Sequence, residues 1–186
     1  KDEMIRIVRE KDFQALPENM REAAREAVDT LLHSGDGQLC DVIIDRAALE
    51  AILEAGNRSK AAIIRDYAES TVAVANIKIA VRCCKTGKSL EFMKRAMAPC
   101  KTLNVERLAH AALAGMDSVM EYLIGAGYAE AADAIKESPS AFERWCDNRI
   151  IETIKPQKTN PFSVGPLVAY VIARQNEIKT VRIILT

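Results

Sequence analysis

The sequence predicts an all-α protein, and three observations carry that prediction. Aromatic residues make up only 5% of the chain while alanine recurs throughout. Glycine and proline are sparse, at 8 and 6 of 186 residues, and apolar positions recur at helical spacing without β-type alternation. A chain of 186 residues is long enough for one large or two small cores. Lys plus Arg and Asp plus Glu both number 26, so the formal net charge is zero. A nucleic-acid binder carries a basic excess or a basic stripe, so the balance argues against that class.

The helices follow in order. Pro17 opens "ENMREAAREAVDTLLHS", with acidic residues early and Leu31 and Leu32 late, and "GDGQ" at 35–38 breaks it. A second helix runs through "DVIIDRAALEAILEA" and is expected to stop at Gly56. Ser59 is placed to cap a long third helix, "KAAIIRDYAESTVAVANIKIAVRCCKT", which ends at Gly87. The short helix "SLEFMKRAMA" is closed by Pro99. Then come "NVERLAHAALA", "MDSVMEYLIG", "YAEAADAIKE" and, after Ser138 and Pro139, "SAFERWCDNRIIETIK". The proline-containing loop "PQKTNPFSVGP" introduces the last helix.

That last stretch, "LVAYVIARQNEIKTVRIILT", approaches the length that spans a bilayer, roughly 20 residues. It carries Arg174, Gln175, Asn176, Glu177, Lys179 and Arg182, however. Each charge near a bilayer centre costs about 2.5–3.5 kcal/mol even on the permissive insertion scale, so the segment does not span. At 100° per residue, Leu167, Tyr170, Val171, Ile178, Val181 and Leu185 share one face, with Arg174 in its middle. This predicts a helix packed in a protein interior that also buries a cation.

The two longest helices match at an offset of one hundred residues: Ala73, Asn76, Val81 and Arg82 fall on Ala173, Asn176, Val181 and Arg182. Upstream, Asp45, Leu49 and Ile52 match Asp147, Ile151 and Ile154 at nearly the same offset. The sequence therefore reads as two related helical units, 1–98 and 99–186, each closed by a long helix.

Several motifs carry less than they first suggest. "TGKS" at 86–89 ends like a phosphate-binding loop but lacks the upstream glycine and follows a helix, so it reads as a helix stop and the next cap, with no nucleotide bound. His33, Asp36, Cys40 and Asp41 match no closed zinc spacing, and His110 sits on an alanine-rich helix with no nucleophile beside it. Five cysteines, with Cys83 and Cys84 adjacent and no CxxC pair, read as reduced, mostly buried thiols of a cytosolic chain. "NRS" at 57–59 reads as a helix cap. No catalytic, cofactor-binding or metal constellation emerges. The chain opens on Lys1 without a signal-peptide pattern, and is expected to be part of a longer cytoplasmic protein.

The terminal block "PLVAYVIARQNEIKTVRIIL" resembles the C-terminal helix of the C subunit of archaeal and bacterial A/V-type ATPases, the counterpart of the d subunit of the eukaryotic V-type ATPase. The shared positions are Pro166, Leu167, Ala169, Tyr170, Asn176, Glu177, Ile178, Arg182, Ile183, Ile184 and Leu185. "YAESTVAVANIKIAVRC" and "LEFMKRAMAP" resemble the family's preceding long helix and its short follower. Family members are longer and begin earlier with a further helical unit, so the chain resembles their middle and C-terminal portions. The resemblance implies a non-catalytic, funnel-shaped helical subunit, peripheral on the cytoplasmic face of the membrane. Its partners would be the central shaft subunits and the cytoplasmic loops of the proteolipid ring, and its role a socket that couples rotation to ion transfer. A generic cytosolic helical-repeat scaffold is the alternative.

Within that frame the informative polar residues are Asp45, Asn76, Arg82, Asp147, Arg174, Asn176, Glu177 and Arg182. They are expected to hydrogen-bond between neighbouring helices, because an unpaired buried charge costs several kcal/mol. Glu177 lies three residues from Arg174, within reach of an intrahelical pair. Asp45 and Asp147 stand as cross-helix partners of Arg82 and Arg182. The competing reading gives Arg174, Asn176, Glu177 and Arg182 to a partner surface on the shaft.

Overall fold

The computed structural model describes residues 1–159 and 162–185, and among these every regular element is a helix. The first, α1 (Asp2–Glu10), is not among the helices expected from the sequence; it ends at Lys11 in the left-handed region, φ 54°. Its Ile7 packs with Phe13 and Leu16 from the following turn in a small cluster of their own. Helix α2 (Glu18–Ser34) begins after Pro17 and stops at Gly35, whose φ of 69° suits glycine.

Helix α3 (Gly37–Arg58) begins four residues before Asp41, because the Asp36 carboxylate accepts the Leu39 amide at 3.1 Å and caps it there. It also continues through Gly56, where the sequence suggested an end. Gly56 is buried in the helix, and a Cβ built on it would collide with the Ala68 Cβ. The glycine therefore permits a close helix crossing and does not stop the helix. Ser59 ends α3, and its hydroxyl accepts from the Ala61 amide at 3.2 Å, shaping the turn rather than capping the next helix directly.

Helix α4 (Ala62–Thr86) is mostly buried in its middle, from Ala68 to Val81, with Thr71, Lys78 and Arg82 along its more exposed side. It packs against α3 and, further along the chain, α5 (Leu90–Ala96), α6 (Val105–Ala114), α7 (Met116–Gly125), α9 (Pro139–Ile154) and α10 (Gly165–Leu185). Between α7 and α9 lies α8 (Ala129–Glu137). Ser89, Asn104 and Ser138 each cap the helix that follows, accepting from the Phe92, Arg107 and Ala141 amides at 3.2, 2.9 and 3.0 Å. The 155–165 loop opens with a short 3-10 turn, Lys155–Thr159; residues 160–161 of that loop, and Thr186 after α10, lie outside the described residues.

The long helices alternate in direction. Gly56 meets Ala68 while Gln38 meets Lys88, so α3 and α4 are antiparallel. Thr153 bonds Ser70 at 3.1 Å and Glu143 bonds Lys78 at 2.6 Å, so α9 is antiparallel to α4. On its other side, α9 places Ile154 against Ala169 and Ile172 and Asp147 against Lys179, making α10 antiparallel to it. The largest apolar cluster draws on α4 to α9, from Ala73 to Cys146, so it crosses position 98 without a seam.

The Gly56 crossing gives a first prediction. Gly56→Ala should lower stability by about 1–3 kcal/mol despite alanine's better helix propensity, because α3 must move off α4. The double variant Gly56→Ala/Ala68→Gly should recover most of the loss in urea unfolding followed by circular dichroism.

Candidate functional site

The best-built polar feature lies where α4 meets the 97–104 connection. Asn76 is completely buried in the middle of α4. Its amide nitrogen donates to the Ala98 carbonyl at 2.7 Å, and the Ala98 amide donates back to its side-chain oxygen at 3.0 Å. Pro99 favours extended backbone before it, which holds Ala98 open for this two-way bond. One and two turns earlier, the same helix presents Ala73 and Glu69. A single Glu69 carboxylate oxygen accepts from the Lys101 amide, the Thr102 amide and the Thr102 hydroxyl, at 2.7, 2.7 and 2.9 Å. The Tyr128 hydroxyl donates to the Thr102 hydroxyl at 3.0 Å, and Tyr122 bonds both the amide and the carbonyl of Asn104. A connection with no regular structure thus has its backbone groups satisfied by side chains from α4, α7 and the start of α8. Asn76 stands out in the sequence through its recurrence at 176, whereas Glu69, Tyr122 and Tyr128 do not. The available signal for them was the irregular stretch "MAPCKTL" itself, whose amides need acceptors from the flanking helices.

The other polar candidates fall differently. Asp45 and Arg82 are exposed, and among the described residues no hydrogen bond or ion pair joins them. Asp147 meets Lys179 at 2.6 Å. Arg174 pairs with Glu177 within α10, and both are exposed. Asn176 is half-buried, and its carbonyl accepts from the Thr180 hydroxyl at 2.9 Å; Arg182 is exposed. The equivalence of α4 and α10 by offset is therefore not an equivalence of environment. Helix α4 is buried around most of its middle, whereas α10 touches the body through a narrow face of Gly165, Ala169 and Ile172.

This corrects the expectation that the apolar face of the last helix packs in an interior around a buried cation. Leu167, Tyr170, Val171, Ile178, Val181 and Leu185 are all exposed, on the side of α10 opposite its contact with α9. The contact uses smaller side chains, which allow closer approach of the two helices. Periodicity finds the larger apolar face and cannot tell which face the chain itself covers.

The five cysteines are free thiols, Cys83 and Cys146 buried and the other three half-buried. Desolvation raises the pKa of Cys40, Cys83 and Cys100, and pushes Cys146 up to about 12, so these thiols stay protonated at neutral pH. Cys83 is buried and its neighbour Cys84 only half-buried, as adjacent helical side chains diverge. Trp145 stacks on Phe142 with centroids 6.2 Å apart and meets Tyr128 edge-on at 6.3 Å. "TGKS" is the end of α4, its left-handed Gly87 and the Ser89 cap of α5. His33 bonds the Asp29 carbonyl beside an open charged groove of about 950 Å³ between α2 and α5. Among the described residues no three His, Cys, Asp or Glu side chains are grouped to hold a metal ion.

These environments set two expected outcomes. Asn76→Ala strands both backbone groups of Ala98 and should cost about 2–5 kcal/mol in urea unfolding, whereas Arg82→Ala or Arg174→Ala should stay within about 0.5 kcal/mol. In thiol alkylation at pH 8 read by mass spectrometry, Cys83 and Cys146 should remain unmodified in the native protein and react only once it is unfolded.

Against known proteins, residues 1–186 match the model of the family described as ATP synthase (C/AC39) subunit. The C subunit of the A-type ATP synthase of Methanocaldococcus jannaschii is 29% identical over 136 residues, covering 66% of this chain and 33% of that protein. The subunit of the same name from Desulfurococcus sp. strain SY is 28% identical over 128 residues, covering 66% of this chain and 34% of that protein. The matched part of the chain thus spans about a third of the length of these curated relatives. No solved structure matches at a significant level.

Proposed function

The chain belongs to the ATP synthase (C/AC39) subunit family, and on that ground we propose that it serves as an accessory, non-catalytic subunit of a V/A-type ion-translocating ATPase. Its role is that of a socket between the central shaft and the membrane proteolipid ring. The observation that carries this reading is the family match along all 186 residues. Two structural features support it. A part that passes torque between a shaft and a ring must resist shear, and α4 packs against six other helices, with α9 paired to α4 and α10 through Lys78–Glu143 and Lys179–Asp147. Among the described residues no helix is long and apolar enough to cross a membrane, which suits a peripheral position on the cytoplasmic face.

The units 1–98 and 99–186 are proposed as related segments that share one core, not as separately packed bodies, because the main apolar cluster spans both. The polar candidates divide in the same proposal. Asn76 and Asp147 act in packing, while the exposed Asp45, Arg82, Arg174, Glu177 and Arg182, with the half-buried Asn176, are assigned to the surfaces that partner subunits meet.

The test is affinity capture of the tagged native protein from detergent-solubilised membranes. Shaft and proteolipid-ring subunits should be recovered with it in fixed proportion. Recovery in a membrane-free complex lacking every ATPase subunit would reject the proposal in favour of a general scaffold.

A further inference from the structure

Helix α10 is anchored to the body through its first half. Gly165, Ala169 and Ile172 are buried, and the last two pack with Ile63 of α4 and Ile154 of α9. Beyond Ile172 every described side chain is exposed except the half-buried Asn176. Lys179 reaches back to Asp147 at 2.6 Å, but the two side chains are 52 and 37% exposed, and an ion pair so wetted holds a helix weakly. Composition does not make up the difference. Between 173 and 185, Ile178, Thr180, Val181, Ile183 and Ile184 are β-branched and give up side-chain freedom in a helix. Arg174 and Glu177 add one exposed pair within the helix, a slight support. Isolated helices shorter than about 12–15 residues are marginal in water even when rich in alanine. The docked first half supplies a nucleus, so the helix can grow outward from Ile172, but little beyond propensity holds each further turn.

We propose that the second half of α10 is a conditional helix. In the free chain it unwinds and rewinds from Ile172 outward while the rest of the molecule stays folded, and it is held helical where a neighbouring surface covers it. Unwinding exposes little that is not exposed already, since Ile178, Val181, Ile184 and Leu185 are 53 to 80% exposed in the folded chain. The hydrophobic resistance that keeps α4 and α9 closed is therefore missing from this segment. A covering surface supplies it, so ordering and binding occur together. The ordering cost lowers the affinity of whatever docks there and keeps the attachment reversible. That the covering surface belongs to a partner subunit rests on the function proposed above; the opening in the free chain does not.

Hydrogen–deuterium exchange of the native chain, read segment by segment by mass spectrometry, should show the amides of 173–185 exchanging about a hundredfold or more faster than those of α4 and α9. Asn76→Ala weakens the hub, so it should speed exchange in α4 and leave 173–185 unchanged. Gln175 and Thr180 are exposed on the two flanks of α10, neither against α9 nor in the outward apolar row. Gln175→Ala/Thr180→Ala should therefore slow exchange of 173–185 about threefold through propensity alone, and increase the capture of shaft and ring subunits by lowering the ordering cost. Protection of 173–185 equal to that of α4 overturns the proposal. So does exchange there that rises in step with α4 in Asn76→Ala, or that is unmoved by the two alanines. Fast, alanine-sensitive exchange with no ATPase subunit captured by either chain rejects the function proposed above and leaves the conditional helix standing.

Discussion

The structure depends on one buried amide. Asn76 is fully enclosed in the middle of α4, and both of its hydrogen-bonding ends are committed to the backbone of Ala98. A polar side chain is admitted to such a position only because each of its groups finds a partner that would otherwise lack one. The bond fixes where the chain leaves α5, and Glu69, Tyr122 and Tyr128 then fix the rest of the way to α6. Without that anchor the exit from α5 would lose its buried bond to α4, while α9 would still be tied to α4 by Ser70–Thr153 and Lys78–Glu143.

Much of the fold could be read from the sequence, because it rests on local rules. Ser89, Asn104 and Ser138 are caps by residue type, and Gly35 and Gly87 stop helices by adopting positive φ. Where sequence and structure part, a tertiary contact has overruled a local preference. Gly56 looked like a stop and is a point of contact with Ala68. Helix α1 could have been read from Met4, Ile5, Ile7 and Val8, which recur at helical spacing within its nine residues. The buried polar set was legible only in part: Asn76 could be singled out by its recurrence at 176, but its partner is a backbone group, which carries no residue-type signal. Asp45 and Arg82 fit the same pattern and lie at the surface, since a shared register sets position along a helix and says nothing of what surrounds it.

The two long helices show how one pattern serves two purposes. Helix α4 is largely satisfied within the chain, its apolar residues buried along its middle and its central polar demand met. Helix α10 turns its smaller face to α9 and leaves its larger one outward.

Trp145 is the only tryptophan, and it is lodged between Phe142 and Tyr128 on the rim of the main cluster. Its emission therefore senses the packing around α4 and is blind to α1, α2 and the outward half of α10. Fraying at either end of the molecule would pass without a change in colour or intensity. A tryptophan fluorescence curve for this protein describes how firmly its hub is held and leaves its ends unseen.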